Sequence, residues 1–376
     1  MGVFNVTGGG SLLVADLFTE PGASATMLAA SIPYAAQALT QLIGKNPHSA
    51  SSVGTARALA MAGWQQAREL VLEHTDLFGF GCTAALATNR PKRGSHRVHL
   101  AVQTLHATHT LSVHFDKADT DRMREETAII DLAYLLIQEA LGVELHPDSR
   151  YQTYKKDIVT HAAQPQWRKL YNGEIHSTPA GNSVHKPTLL LPGSFNPLHE
   201  GHIAMAQYAA QRLQQDVHFE LSVRNVDKPS IDYADLMQRT AQFRTNTMQD
   251  HALWLTGLPT FLEKSREFPG TTFLVGADTA ERIGQEKYYD GKQALGAALE
   301  EMANLEIRFL VFGRSHNGRF QTLDELDLPA KFRSLCDGVS EKDFRLDLSS
   351  TSLRDCLLYT SPSPRDQRGS RMPSSA

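Results

Sequence analysis

The sequence predicts an α/β protein of two α/β domains, the second built on a parallel sheet. Three observations carry this. From residue 188 onward, short apolar runs alternate with helical patterns: TLLL at 188–191, HFELSV at 218–223, TTFLVG at 271–276 and IRFLVFG at 307–313. Strand alternating with helix implies a parallel sheet covered on both faces. A second, separate set of strand and helix patterns fills the N-terminal part, and 376 residues are long for a single core.

In chain order, GVFNV at 2–6 reads as a strand, TGGGS at 7–11 as a tight turn and SLLVADLF as a helix. A domain that opens in mid-strand suggests a missing N-terminal piece or a misassigned start. PGASATMLAASIPYAAQALTQLIG continues in an α/β manner, and ARALAMAGWQQARELVLEH at 56–74 has helical periodicity. FGFGCTAALATNRPKRGSH is a Gly-rich stretch leading into a basic turn. RVHLAVQTL and HTLSVHF alternate like paired strands, with Val98, Leu100 and Val102 on one side and His99 and Gln103 on the other. A helix near 121–141 has caps available at Asp119, Thr120 and Asp121 and a stop at Gly142. Its buried stripe is Ile129, Ile130, Ala133, Leu136, Ile137 and Ala140.

These patterns divide the chain into a first domain at 1–146, a connector at 147–186 with one short helix around Gln166–Leu170, a second domain at 187–355, and a tail at 356–376. The tail, rich in Ser, Pro and Arg without periodicity, reads as non-native disordered sequence.

Composition narrows the classes. Apolar content of 41% and charged content of 21% fit a globular protein. A net charge of −4 gives no general pull toward nucleic acid or anionic membrane. Three cysteines, Cys82, Cys336 and Cys356, lack metal-type spacing and argue for a reducing, cytoplasmic setting. No apolar run has the length of a membrane span, and no secretory signal stands at the N-terminus. Gly2 invites the idea of myristoylation, but Val6 stands where that signal wants Ser or Thr. A homo-oligomer is left open.

The stretch GSFNPLHEGH at 193–202 concentrates the chemistry. It lies between the TLLL strand and the helical IAMAQYAAQRL. Ligands of parallel α/β sheets bind beyond the carboxyl ends of strands. Gly193 and Gly201 allow close backbone approach, and the helix beginning near His199–His202 offers free N–H groups and a positive dipole end, a combination that binds phosphate. His199 and His202, three apart, share one face of its first turn. The alternative is that both merely cap the helix.

GSFNPLHEGH resembles the H-x-G-H signature of the nucleotidyltransferase superfamily, especially the nicotinate and nicotinamide mononucleotide adenylyltransferases. RNVDKP at 224–229, LVGADTAERI at 274–283 and LSSTSLR at 348–354 resemble further elements of that family in the same order, the last its I-S-S-T-x-x-R signature. The resemblance covers roughly 187–355. It implies a Rossmann-like fold of the nucleotidyltransferase type and adenylyl transfer from ATP to a mononucleotide with release of pyrophosphate, a step of NAD biosynthesis. It implies catalytic roles for His199, His202 and Arg354, and ATP contacts from Gly193, Ser194, Phe195, Asn196, Gly201, Ser349, Ser350 and Thr351. Lys228, Gly276 and Asp278 would bind the acceptor. A plain surface Lys228 and a helix-capping Asp278 are the alternatives. Mg²⁺ would accompany ATP, with no protein side chain as its ligand. A cytidylyl- or adenylyltransferase for another phosphorylated acceptor, or a mononucleotide-binding regulatory protein without turnover, stays open.

TGGGS at 7–11, PGAS at 22–25, IPYAAQALTQLIG at 32–44 and ARALAMA at 56–62 resemble the CinA-like competence-damage-inducible family over about 2–142. Some members remove the amide from nicotinamide mononucleotide. Alignment puts Asn5 where that family has its nucleophilic Ser and Leu39 where it has its general-base Lys, so the amidase residues are missing. Ser11 reads as a helix cap or a replacement nucleophile, and Cys82 as a small buried cysteine or a nucleophile. Arg90, Lys92, Arg93 and Arg97 form a solvated basic turn or a phosphate site. The spacing of His96, His99, His106, His109 and His114 follows strand alternation rather than a metal pattern.

Overall fold

The computed structural model describes residues 1–71, 76–89, 94–118, 121–144, 148–181, 185–226, 229–244, 252–316 and 319–345. Two compact units emerge. One is Met1–Thr178 with Val223–Gln238 and Thr256–Thr260; the other is Pro179–Ser222, Arg239–Leu255 and the residues from Phe261 onward.

The first unit contains β1 (Gly2–Thr7), α1 (Ser11–Thr19), β2 (Met27–Ser31), α2 (Ala36–Ile43), α3 (Val53–Leu70), β3 (Phe78–Ala85), β4 (His96–Thr104), β5 (Ala107–Phe115), α4 (Arg122–Leu141), β6 (Val159–Ala162) and α5 (Pro165–Asn172). Its six-stranded sheet runs β2-β1-β3-β4-β5-β6. Parallel pairing joins β1 to β2 and β3, and antiparallel pairing joins β3 through β6. In the stretch expected as a connector, the structure places a 3-10 helix at Ser149–Asp157, the edge strand β6 and α5.

Helix α4 begins where the caps predict, with Asp121 accepting the Arg124 N–H at 2.9 Å, and ends on Gly142 in the left-handed conformation. Its Ile129, Leu132, Ala133 and Leu136 pack with Phe4, Val6, Phe80, Val98, Leu100 and Val102 in one core. The opposite face is buried as well: Gln103 is fully covered, and Ala101 packs with Ala56 and Ala60 of α3. The alternation read from β4 is therefore present, but both of its sides are interior.

The Gly-rich run of β3 is a central strand. A Cβ at Gly79 would lie 2.0 Å from the Ala60 carbonyl oxygen, and one at Gly81 would lie 2.1 Å from that of Ala56. Only glycine lets α3 rest directly on the strand backbone.

The remaining elements are β7 (Ser177–Pro179), β8 (Leu189–Pro192), α6 (Glu200–Leu213), β9 (His218–Ser222), α7 (Tyr233–Ala241), β10 (Leu253–Thr256), α8 (Phe261–Glu267), β11 (Thr272–Gly276), α9 (Ala277–Ile283), α10 (Lys292–Asn304), β12 (Arg308–Phe312), β13 (Arg314–His316), β14 (Arg319–Gln321), α11 (Ala330–Arg333) and β15 (Cys336–Val339). Their main sheet has the order β15-β12-β11-β8-β9-β10-β7, and β13 and β14 form a separate hairpin. The pairs β8–β9, β8–β11, β11–β12 and β12–β15 are all parallel. The four strands read from the sequence are present, joined by β7, β10 and β15.

Counting from β8, successive strands step outward through β9 and β10, and the chain then returns to the other side of β8 at β11. This order is that of a Rossmann-type sheet, whose ligand crevice opens where the strand order reverses, beyond the carboxyl ends of the two central strands. Here those strands are β8 and β11.

Candidate active site

The loop leaving β8 and entering α6 is the centre of the site. Gly193 continues the strand and donates its N–H to the Glu220 carbonyl at 2.9 Å. Phe195 follows at φ 43°, in the left-handed region that non-glycine residues rarely adopt. Its ring is fully buried against Phe219 and Phe243, edge-on in both cases, at 5.5 and 5.2 Å. Burial of that ring holds the strained turn. It also explains Gly193, where a Cβ would lie 2.5 Å from the Phe195 ring. Phe195 thus acts through its backbone and as an anchor, while the Ser194 and Asn196 side chains are exposed.

His199 is the N-cap residue of α6, and Gly201 is buried in its first turn. The two histidine rings stack with centroids 3.7 Å apart, and Phe195 meets His202 edge-on at 5.1 Å. His202 Nδ1 accepts the backbone N–H of His199 at 3.3 Å. With Nδ1 engaged as acceptor, the ring proton resides on Nε2, which is left as a donor. Burial, reinforced by the neighbouring His199, pushes the His202 pKa down to about 3. Burial also lowers that of His199. Both rings are therefore neutral at pH 7. The buried Nδ1 of His199 has no hydrogen-bond partner among the described residues.

Residues outside the motif brace this loop. Gln242, in the 3-10 turn after α7, accepts the Leu198 N–H at 2.8 Å and donates to the Phe195 carbonyl at 2.9 Å. Arg239 donates to the Ser194 carbonyl at 3.1 Å. Beneath the loop, Glu220 of β9 and Lys264 of α8 form a buried ion pair at 2.7 Å.

Across the crevice, Gly276 ends β11 and precedes α9. Asp278 is half-exposed and pairs with Arg314 of β13 at 2.9 Å. Asp278 makes no cap of α9 through its own side chain, because the N-cap position belongs to Gly276.

The structure therefore gathers Gly193, Ser194, Phe195, Asn196, His199, Gly201 and His202 on one loop, with Gly276 and Asp278 at the end of the adjacent strand. Lys228, Ser349, Ser350, Thr351 and Arg354 lie outside the described residues. Gln242, Arg239 and Arg314 were missed from the sequence. Gln242 sits in AQFR, which has no motif, whereas Arg314 directly follows the Gly that ends a strand, a position that could have marked it.

In the first unit, Asn5 and Leu39, which the sequence resemblance aligns with a nucleophile and a base, are structural groups. Asn5 is buried, donating to the Leu59 carbonyl at 3.0 Å and accepting from Ser31 at 2.5 Å. Leu39 packs with Ile43 and Leu59. Ser11 corrects the expectation of a cap: it is the first helical residue of α1, and Gly10 is the N-cap. The Cys82 thiol is buried, its pKa pushed up by burial, which suits the packing role and not a nucleophile. A cavity of about 40 Å³ lies among Thr7, Gly8, Gly9, Ser11, Tyr34 and Arg122, and an open hollow of about 430 Å³ is lined by Ser31, Ile32, Pro33, Ala38, Gln41 and Leu42.

Arg97 donates to the Ser51 and Ser95 carbonyls, while Arg90, Lys92 and Arg93 lie outside the described residues. The histidines on the strands each have a separate neighbour: His96 pairs with Glu125, His99 with Ser112, His109 with Thr160 and His114 with Ser95. Among the described residues, no group of three or more His, Cys, Asp or Glu is placed to hold a metal ion, and no helix is long and apolar enough to cross a membrane.

Solved structures similar to this chain include a competence/damage-inducible protein of Agrobacterium tumefaciens, at 19% identity and TM-score 0.30, covering 38% of this chain and 85% of that one. A CinA superfamily protein of Escherichia coli matches at 15% identity and TM-score 0.31, covering 38% and 80%. A competence or damage-inducible protein of Enterobacter asburiae matches at 14% identity and TM-score 0.31, covering 37% and 86%. A search of curated protein sequences finds no match. Residues 190–354, which include the β8–α6 loop, match the model of the cytidylyltransferase-like family, and this part of the chain has a nucleotidyltransferase-like, Rossmann-type fold.

Proposed function

We propose that this domain transfers an adenylyl group from ATP to the phosphate of nicotinate or nicotinamide mononucleotide. A phosphate oxygen of the acceptor forms a bond to the α-phosphorus of ATP, the bond to the bridging oxygen breaks, and pyrophosphate leaves. The observation that carries the reading is His202: a neutral imidazole whose Nδ1 is engaged by the His199 N–H and whose Nε2–H has no partner among the described residues, at the N-terminus of α6 and at the point of strand-order reversal. A neutral donor needs no counter-charge before substrate arrives, and it can follow the negative charge that grows on phosphoryl oxygens in the transition state. His199, stacked on it, presents the second imidazole to the same anion.

Ser349, Ser350, Thr351 and Arg354 are proposed to hold the triphosphate, and Lys228, Gly276 and Asp278 the acceptor. Mg²⁺ enters with ATP as the counter-ion of its phosphates. The described loop supplies N–H donors and imidazoles, a set suited to anions and not to a hard cation, so no step here runs through a resident metal. The first unit is proposed to be a CinA-like domain without amidase chemistry, since Asn5 and Leu39 are buried structural residues.

The test is pyrophosphate release by the full chain given ATP, Mg²⁺ and nicotinate mononucleotide. Release that disappears in His202→Ala supports the proposal. The breadth of the cytidylyltransferase-like match favours a second reading, cytidylyl transfer to another phosphorylated acceptor. Turnover with CTP and none with ATP would establish that one instead.

A further inference from the structure

We infer that Gln242 is a positioning residue that sets the phosphate-binding loop, acting through both faces of its side-chain amide. The inference rests on the reading of 193–202 as a phosphate cradle. Among the loop's backbone groups outside any helix or strand ladder are the Phe195 carbonyl and the Leu198 N–H. One side chain satisfies both, donating from Nε2 to the first at 2.9 Å and accepting at Oε1 from the second at 2.8 Å. Only an amide carries a donor and an acceptor side by side, and glutamine has the length. These two contacts start at the strained Phe195, at φ 43°, span Asn196 and Pro197, and end one residue before the N-cap His199.

Gln242 is itself held in place. Its neighbour Phe243 is buried with its ring 5.2 Å from both Phe195 and Phe219. Three residues earlier, Arg239 binds the Ser194 carbonyl. One short segment thus grips loop residues 194, 195 and 198 and determines where the imidazoles of His199 and His202 stand. Gln242 touches neither imidazole and reaches the phosphates only through the loop.

The experiment compares the wild-type chain with Gln242→Met, which keeps the bulk and loses the hydrogen bonds to Phe195 and Leu198 along with the one to the Arg239 carbonyl, and with Gln242→Glu, which keeps the shape and cannot donate to Phe195. Three quantities are read: hydrogen exchange of the 193–200 peptide, binding of tripolyphosphate by calorimetry, and the separate KM values for ATP and acceptor. Both variants should exchange faster in that peptide alone. Each should bind tripolyphosphate about tenfold more weakly and show a KM for ATP about tenfold higher, as expected for a lost net hydrogen bond or more, with the acceptor KM within about twofold. Unchanged exchange at 193–200 overturns the inference, as does faster exchange with unchanged tripolyphosphate binding. If the wild-type chain shows no turnover, the proposed function falls, and exchange together with tripolyphosphate binding still decides the role of Gln242. If it also fails to bind tripolyphosphate, the phosphate cradle falls, and the inference falls with it.

Discussion

His202 Nδ1 accepts the backbone N–H of His199, and this one bond ties the tautomer of the second motif histidine to the cap of its own helix. The proton is left on Nε2, where an anion beyond the helix terminus would meet it. Replacing His202 with Ala removes both the cap acceptor and the outward donor. Pyrophosphate release should fall on the order of 100-fold or more, as for loss of a transition-state donor. His202→Asn restores an acceptor for the cap alone. It should recover thermal stability while activity stays low, and equal recovery of both would contradict the donor role.

The depressed histidine pKa has a consequence for stability. His202 titrates near 3 when folded and near its ordinary value of about 6.5 when unfolded. Between these limits the unfolded chain binds the extra proton, so stability rises with pH across this window. The contribution is complete above about 6.5 and is lost as pH falls toward 3. Denaturant titrations at pH 4, 5 and 7 should show a shallower acid loss in His202→Asn than in the wild type. Parallel curves would mean that the ring is not held neutral.

The Asp278–Arg314 pair is half-exposed, and pairs of this kind contribute roughly 0–1 kcal/mol. Asp278→Asn and Arg314→Ala should therefore leave the melting temperature nearly unchanged. If the crevice beside β11 takes the acceptor, both changes should raise the acceptor KM and leave that for ATP alone. An effect on ATP only would move the acceptor elsewhere.

Glu220 and Lys264 are buried together under the loop. Lys264→Met should destabilise by about 3–5 kcal/mol, because it removes the cation paired with a buried carboxylate. Adding Glu220→Leu should restore most of that loss. Urea unfolding of the single and double variants measures the difference, and a double variant no better than the single would argue against the ion pair.

In the first unit, Gly81→Ala places a methyl group 2.1 Å from the Ala56 carbonyl oxygen. Helix α3 must retreat, at a cost of about 1–3 kcal/mol or more. The same change at Gly22, where nothing lies within 4 Å, meets no such obstacle, although its φ of 88° adds backbone strain. A melting curve for Gly81→Ala that overlays the wild type would refute the close packing.

Local signals were enough to identify the elements with strong periodicity or caps. Helix α4 shows its Asp121 start and Gly142 stop in plain sequence, and β8, β9, β11 and β12 announce themselves as apolar runs. The loop between β8 and α6 was equally legible, since its glycines and histidines occupy a strand-to-helix turn. Strand β3 was not legible, because its glycines depress strand propensity and their purpose is visible only when α3 lies on them. Strands β10 and β15 are short, four residues each, and owe their place to pairing with distant partners.

The sequence by itself determined the chemistry on offer: two imidazoles at a helix start and a parallel sheet to carry them. Only the tertiary structure decided how that chemistry is set. Neutrality of His202 comes from burial, its tautomer from a backbone N–H, and the stance of the loop from Gln242, some 40 residues further along the chain. Such contacts depend on which segments fold against one another, and no spacing along the chain encodes a partner that distant.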